Sequence, residues 1–187
     1  MKAEKLAIPE VILLTPPRFG DARGFFSETF HARRFAEAGV NQPFVQDNHS
    51  LSAKAGTIRG LHCQIAPNVQ GKLVRCVRGA IWDVAVDIRH GSPTFGQHCA
   101  AVLSAENWSQ LWVPGGFLHG FCTLEPDTEV IYKVTADYDR AAERGVIWDD
   151  PALALPWPVA TAEALLSDKD RVLPKLADCD AWFHVQP

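Results

Sequence analysis

Two histidines stand in segments where an ionisable side chain could carry acid–base chemistry. His62 lies in the run Arg-Gly-Leu-His-Cys-Gln at residues 59–64, inside a strand-like segment. His119 ends the run Pro-Gly-Gly-Phe-Leu-His at residues 114–119. Because an imidazole changes charge near neutral pH, His62 could act as a base, bind a metal or serve as a hydrogen-bonded core residue. The sequence leaves these three roles open, and Asp170 is a candidate carboxylate to orient the ring.

A lysine and a tyrosine supply two further polar groups within strand-like segments. Lys72 follows Gly71, which allows close backbone approach, and its ammonium offers a point charge. The plainer interpretation of Lys72 is a lysine at the edge of a hairpin. Tyr132 alternates with Val130 and Val134, so it is either a functional phenol or an ordinary core residue.

The run at residues 114–119 resembles the second cupin motif, whose histidine is often a metal ligand. The metal-binding form also needs a His-x-His and a glutamate in the first motif, where this chain has His-Cys-Gln at residues 62–64. Glutamine is a poor substitute for imidazole on a first-row metal, and Cys63 points to the opposite face of the strand from His62. We therefore expect no metal and no cofactor, with a metal-dependent cupin such as a dioxygenase as the alternative.

The elements that must position these residues are mostly short strands separated by glycine and proline. Strands are predicted over residues 11–15, 24–30, 44–52, 57–64, 71–78, 80–88, 97–103, 110–113, 118–124 and 128–134. Helices are predicted only over residues 31–38, before Gly39, and near residues 162–166. Many short strands at near-regular spacing are typical of a sandwich or a barrel. Polar residues inside the strands favour a barrel whose lumen holds a ligand, and these are Arg59, His62, Lys72, Asp83, His119 and Tyr132.

Residues 71–78 and 80–88, joined at Gly79, are predicted to form a β-hairpin. The second arm alternates strictly between two faces. One face carries Trp82, Val84, Val86 and Ile88, and the other carries Ile81, Asp83, Ala85 and Asp87.

The chain length, the net charge and the number of cysteines limit the class of protein further. The 187 residues are predicted to form a single domain, residues 1–187, and the formal charge of −4 gives no support to nucleic-acid or anionic-membrane binding. Five cysteines, an odd number without a Cys-x-x-Cys pair, favour free thiols in a reducing cytoplasm. No apolar run is long enough to span a bilayer, and the first residues lead into no apolar leader segment.

Seven stretches in order carry a resemblance to a known family. They are residues 19–26, 44–50, 59–62, 70–75, 83–89, 92–96 and 103–107. With their spacing, they resemble the dTDP-4-dehydrorhamnose 3,5-epimerase family from about residue 8 to residue 170. The resemblance implies an all-β cupin jelly-roll barrel with a few short peripheral helices. It also implies a homodimer in which an N-terminal segment contributes to the partner's site.

The resemblance also implies roles for individual residues. His62 is the base that removes the protons at C3 and C5, Asp170 binds its other ring nitrogen, and Tyr132 is the acid on the opposite face. Lys72 lies near the C4 oxygen. Substrate-binding positions are Phe19, Arg23, Phe26, Glu28, Gln46, Asp47, Asn48, Arg59, His119, Tyr138, Glu143 and Lys169. Tyr138 matches the residue that stacks on the thymine.

The implied reaction converts dTDP-4-dehydro-6-deoxy-D-glucose into dTDP-4-dehydro-L-rhamnose, a step of dTDP-L-rhamnose biosynthesis. Removing a proton beside a ketone places negative charge on the ketone oxygen, and a cation such as Lys72 stabilises that charge. Inversion then needs a proton donor on the other face, a role open to Tyr132. The alternatives are an epimerase acting at C3 or C5 alone, a metal-dependent cupin and a non-catalytic sugar-binding cupin.

Overall fold

The computed structural model describes residues 1–185 and is built mainly from strands. In chain order the strands are β1 (Lys2–Lys5), β2 (Ile12–Thr15), β3 (Phe19–Asp21), β4 (Gly24–Phe26), β5 (Gln46–Ser52), β6 (Ile58–Gln64), β7 (Lys72–Arg78), β8 (Ala80–Asp87), β9 (Arg89–His90), β10 (His98–Ser104), β11 (Gln110–Val113), β12 (Phe117–Thr123), β13 (Thr128–Val134), β14 (Glu143–Gly145) and β15 (Phe183–His184). One α-helix, α1 (Ala32–Glu37), and three 3₁₀ turns (Thr161–Glu163, Asp170–Val172 and Leu176–Asp178) complete the described part.

Two antiparallel sheets form the body of the molecule. The six-stranded sheet has the order β1-β2-β11-β7-β13-β5, and the five-stranded sheet has the order β10-β8-β12-β6-β14. Neighbouring strands in these sheets come from distant parts of the chain, as in a cupin jelly roll. The predicted all-β jelly-roll barrel with few short helices is therefore confirmed.

The main core lies between the two sheets. Val74 and Leu111 reach it from the six-stranded sheet, and Ile81, Ala85 and Phe121 reach it from the five-stranded sheet. All five side chains are at most 4% exposed. Burying each large apolar side chain contributes roughly 1.5–3 kcal/mol, so this core holds the sheets in fixed relation and fixes the polar residues at the end of the barrel.

The predicted hairpin of residues 71–78 and 80–88 is wrong. β7 pairs with β11 and β13, whereas β8 pairs with β10 and β12 in the other sheet. Gly79, at φ +73°, turns the chain from one sheet into the other. β7 and β8 lie in different sheets because each pairs with other strands of its own sheet. The inward faces of both strands cover the same core. The predicted faces of β8 are confirmed, since Ile81 and Ala85 join the core and Val84 and Val86 face the other way.

The segment after β14 crosses the outer face of the five-stranded sheet. Leu61, Val84 and Leu118 of that face form a second apolar cluster, and Trp157 and Trp182 of the segment pack against it. A parallel β9–β15 pair and a bridge between Thr57 and Leu165 tie the segment down. The helix predicted near residues 162–166 is a 3₁₀ turn at Thr161–Glu163. The segment then returns to the end of the barrel at Asp170.

The helix predicted over residues 31–38 is confirmed as α1, with Phe35 buried and Gly39 following at φ +102°. None of the helices within residues 1–185 is long and apolar enough to cross a membrane. We propose that residues 1–187 form one domain, because the sheets share a core and the later segment packs on it. The last two residues of that range lie outside the described residues.

Candidate active site

A cavity of about 530 Å³ lies at one end of the barrel, between the two sheets. Its size suits a small polar ligand. The five-stranded sheet contributes Arg59, His62 and His119, and the six-stranded sheet contributes Lys72 and Tyr132. The remaining wall is formed by residues 165–167, 169 and 170, which belong to the segment after β14. The structure thus brings together five of the six polar strand residues that the sequence places in a lumen, and the sixth, Asp83, lies behind His119.

His62 and Asp170 form a close pair in this cavity. His62 Nε2 lies 2.7 Å from Asp170 Oδ1, and the side chains are 25% and 5% exposed. Burial raises the pKa of Asp170, but the hydrogen bonds from His62 and Ser167 outweigh it and leave the pKa below its ordinary value. An ionised Asp170 therefore fixes the orientation of the His62 ring and leaves Nδ1 as the ring's free nitrogen.

The lowered pKa of Asp170 predicts a pH-dependent contribution to stability. A carboxyl group of this kind stabilises the fold above its unfolded pKa of about 3.9, and this contribution is lost as the pH falls through the folded value. We expect the free energy of unfolding of Asp170→Asn to lie further below that of the wild type at about pH 5 than at about pH 3. Urea unfolding at both pH values measures this, with exposed Asp168→Asn as the control. A gap that does not change with pH would contradict the prediction.

A second histidine–carboxylate pair lies beside the first. His119 Nε2 is 2.6 Å from Asp83 Oδ1, and both side chains are buried. Within residues 1–185, Asp83 Oδ2 has no hydrogen-bond partner. The sequence predicts a strand position for Asp83 but no role in the site. The signal for a site role was its position on the same face of β8 as core residues. A carboxylate buried there needs a hydrogen-bonding partner.

Lys72 and Tyr132 face the histidines from the opposite sheet. Lys72 Nζ lies 3.5 Å from the carbonyl oxygen of His62, and burial lowers the pKa of the lysine. Burial also raises the pKa of Tyr132, with Arg59 acting in the other direction, so the phenol keeps its proton at neutral pH. The cavity therefore has a proton acceptor on one wall, and a proton donor and a cation on the other.

Gly60 and Gly120 allow β6 and β12 to approach closely behind the two histidines. Gly60 has φ +125°, and a Cβ there would lie 2.6 Å from the Cα of Gly120. The strand register shifts between His119 and Phe121. Because side chains are excluded at this crossing, His62 and His119 stay paired across the two strands and both reach the cavity.

A second cavity of about 280 Å³ shares His62, Lys72 and Tyr132 with the first. Tyr138, 57% exposed, stands at its edge and donates a hydrogen bond of 3.0 Å from its phenol to Glu143 Oε2. Lys169 Nζ lies 2.5 Å from Glu143 Oε1. Gln46, Asn48 and the Tyr138 amide are linked by hydrogen bonds. These side chains form an amide-rich extension next to the acid–base residues.

Five of the residues predicted for substrate binding lie away from both cavities. Phe19 and Phe26 are 61% and 70% exposed on the β3–β4 hairpin, where Arg23 pairs with Asp21. Glu28 pairs with Arg34. Asp47 pairs with Lys133 on the outer face of the six-stranded sheet, opposite to the face of Asn48. Alternation along β5 already separates Asp47 from its neighbours Gln46 and Asn48.

Metal-ligating side chains are not grouped in the described part of the chain. No three His, Cys, Asp or Glu side chains within residues 1–185 are placed to hold one ion. Gln64, at the position where the metal-binding pattern needs a histidine, uses its amide in three hydrogen bonds to backbone groups.

The jelly roll and the paired His and Asp side chains in its lumen define an acid–base enzyme of the cupin class. The family model described as dTDP-4-dehydrorhamnose 3,5-epimerase matches residues 5–178, and the chain belongs to that family. A dTDP-4-dehydrorhamnose 3,5-epimerase of Sinorhizobium fredii is 52% identical over 98% of this chain and 94% of its own length.

Two solved structures share the fold. The dTDP-6-deoxy-D-glucose-3,5-epimerase of Legionella pneumophila, in complex with dTDP-4-keto-L-rhamnose, is 42% identical with a TM-score of 0.94, over 100% of this chain and 99% of that chain. A 3′-monoepimerase of Streptomyces bikiniensis, in complex with dTDP-quinovose, is 35% identical with a TM-score of 0.86, over 93% of this chain and 87% of that chain.

Proposed function

We propose that this chain epimerises C3 and C5 of dTDP-4-dehydro-6-deoxy-D-glucose, giving dTDP-4-dehydro-L-rhamnose for rhamnose biosynthesis. The observation that carries the proposal is the arrangement of the cavity, with His62 on one sheet and paired to Asp170 of the later segment, and with Tyr132 and Lys72 on the other sheet. A sugar ring held between the sheets has a base on one face and an acid on the other. The family membership supplies the class of substrate.

In the proposed reaction, neutral His62 removes the proton from the carbon next to the C4 ketone. The C–H electron pair moves into the ring and places negative charge on the C4 oxygen. Lys72 stabilises this enolate, and burial of its ammonium makes the charge more effective than it would be in bulk water. Asp170 stabilises the imidazolium that forms on His62. Arg59 and His119 line the same cavity and bind the sugar.

The second half of the reaction returns a proton to the opposite face. The raised pKa of Tyr132 keeps its phenol protonated, so it can donate to the enolate carbon from the other wall. The enolate collapses to the ketone with the carbon inverted. The C4 ketone acidifies both C3 and C5, so the same groups serve the two carbons in turn, once His62 has released its proton to water and Tyr132 has taken one up from water.

Proton NMR of the substrate incubated with the enzyme in D₂O, with and without EDTA, tests this proposal. We expect deuterium at both C3 and C5 and the same rates in the presence of the chelator. Absence of exchange at both carbons would overturn the epimerase proposal, and loss of exchange with EDTA would favour a metal-dependent cupin.

The Tyr132→Phe variant is expected to separate proton removal from inversion. His62 and Asp170 remain, so deuterium should still enter the substrate, while inverted product forms about 10²–10³-fold more slowly because the acid is lost. The same NMR experiment reports both quantities. Tyr138→Phe, which alters the only other tyrosine of the chain, should retain inversion. Equal loss of exchange and inversion in Tyr132→Phe would assign Tyr132 to another step.

A single-centre epimerase is the second candidate function, and the likeness to a 3′-monoepimerase favours it as the alternative. Both activities need a base, an acid and a cation beside the ketone, so these residues do not separate them. The position of the deuterium does, because a single-centre enzyme leaves one of C3 and C5 unlabelled.

We also propose that the chain works as a homodimer in the cytoplasm. The exposed rings of Phe19, Phe25 and Phe26 on the β3–β4 hairpin support an intersubunit role for that segment, and with it a contribution of Arg23 to the partner's site. The five free thiols agree with a reducing compartment. Light scattering of the purified protein, compared with a Phe19→Ser/Phe26→Ser variant, tests the dimer.

A further inference from the structure

One buried side chain holds both flanks of Tyr138 in its loop, while Gln46 Oε1 accepts from the backbone N–H of Tyr138 itself. Gln64, 3% exposed at the end of β6, donates from Nε2 to the carbonyl oxygen of Asp137 at 3.1 Å. Its Oε1 accepts from the backbone N–H of Asp139 at 2.8 Å. The two backbone groups belong to the residues on either side of Tyr138, so a single side-chain amide is hydrogen-bonded to the backbone on both sides of that residue.

The same amide also fixes the neighbouring turn. Gln64 Nε2 donates a second hydrogen bond to the carbonyl oxygen of Asn68 at 2.9 Å, and Asn68 in turn donates from Nδ2 to Asp139 Oδ2 at 2.7 Å. Both N–H groups and the oxygen of the Gln64 amide are therefore used in holding the loop to the barrel.

Only an amide satisfies this set of partners. The position needs two donors and one acceptor on one planar group, which glutamine supplies. A glutamate of the same shape has no donor and would place its charge beside two carbonyl oxygens. A leucine fills the space but leaves the backbone groups of Asp137 and Asp139 without a partner, which is costly for buried polar groups.

From this geometry we infer that Gln64 is a positioning residue for nucleotide recognition, which it controls by fixing Tyr138. The inference rests on the proposed function and on the stacking of Tyr138 on the thymine of the dTDP-sugar, which the family resemblance implies. A ring that is 57% exposed has few contacts of its own, so its place depends on how firmly its backbone is held. Gln64 thus takes no part in proton transfer, although it lies two residues from His62 on the same face of β6.

Calorimetric titration of dTDP into the full-length protein tests this inference. We expect Gln64→Leu to raise the Kd for dTDP about tenfold, because leucine removes the hydrogen bonds on both sides of Tyr138. Gln64→Glu should raise it at least as much, because its carboxylate can still accept from Asp139 but cannot donate to the carbonyl oxygen of Asp137 and repels it. With the dTDP-sugar, KM should rise to a similar extent while kcat stays within about twofold of the wild type. Gln97→Leu, which removes a glutamine at the opposite side of the five-stranded sheet, is the matched control.

A double-mutant cycle shows whether Gln64 acts through Tyr138. In a Tyr138→Ala background, Gln64→Leu should change the Kd for dTDP less than about twofold, because the ring that it positions is absent. An equal loss in both backgrounds would overturn the inference, as would an unchanged Kd or a fall in kcat alone.

Amide hydrogen exchange of residues 136–142 needs no nucleotide and tests directly whether Gln64 stabilises this loop. Faster exchange of this loop in Gln64→Glu, with the barrel strands unchanged, is the expected result, and unchanged exchange would overturn the inference. Failure of the wild-type protein to bind dTDP would instead count against the proposed function.

Discussion

Replacing His62 by asparagine is expected to lower kcat/KM about 10⁴-fold and to stop deuterium from entering at both C3 and C5. An uncatalysed carbon acid next to a ketone gives up its proton slowly. Of the two cavity histidines with a carboxylate partner, His62 is the more exposed, at 25% against 8% for His119. Asparagine keeps a polar side chain of similar reach but cannot accept the proton at neutral pH. Both exchange reactions should disappear together, because one base serves the two carbons.

His49→Asn provides the matched control for this substitution. His49 lies on the outer face of the six-stranded sheet, 2.9 Å from Glu129, and is 54% exposed. The control should exchange deuterium at the wild-type rate. If His62→Asn retains exchange at either carbon within about tenfold of the wild type, a different group removes that proton and the proposed mechanism is wrong.

Replacing Lys72 by methionine is expected to lower kcat about 10³-fold with a much smaller change in KM. The ammonium interacts most strongly when charge develops on the C4 oxygen, so its loss weakens the transition state more than the bound ground state. Methionine keeps the length and the apolar stem, which preserves the packing at the start of β7. Steady-state kinetics with the dTDP-sugar, together with the calorimetric Kd for dTDP, measure the two effects separately.

Lys133→Met is the control, because Lys133 lies on the outer face of β13 and pairs with Asp47. Its kinetics should match those of the wild type. A Lys72→Met variant with unchanged kcat and a raised KM would show that Lys72 only binds substrate, and the stabilisation of the enolate would then need another group.

Burial of Lys72 adds a pH test to the same residue. Its lowered pKa means that the ammonium is lost at a lower pH than in an exposed lysine, so activity that depends on it should fall as the pH rises. The raised pKa of Tyr132 keeps the phenol protonated over that range. The alkaline fall in kcat should therefore move to higher pH in Lys72→Arg, where the cation cannot be titrated.

Much of the site follows from alternation along single strands. The period of two put Asp83 on the face of Ile81 and Ala85, and Tyr132 on the face of Val130 and Val134. His62 and Lys72 were predicted only to lie within strands, whose limits agree closely with those of β6 and β7, as do those of β13. The same period separates Asp47 from its neighbours, a distinction that the family pattern alone did not make.

Pairing between distant segments could not be read from the sequence. The contact between His62 and Asp170 joins residues 108 positions apart, and only the family resemblance put them together. The separation of β7 and β8 was missed because a glycine between two apolar strands suits both a hairpin and a turn between sheets. Likewise, the hydrogen bonds that join Gln64 to the Tyr138 loop involve backbone groups 73–75 residues away.

The route of the segment after β14 has a consequence for how the protein is made. The last strand of the two sheets ends at Gly145, whereas Asp170 comes 25 residues later (170 − 145). A ribosome adding about 5–20 residues each second needs roughly one to five seconds for that stretch. During this interval the growing polypeptide contains every strand of both sheets, but Asp170 has not yet been added and cannot pair with His62. The His62–Asp170 pair therefore forms only after every strand of the two sheets has been synthesised.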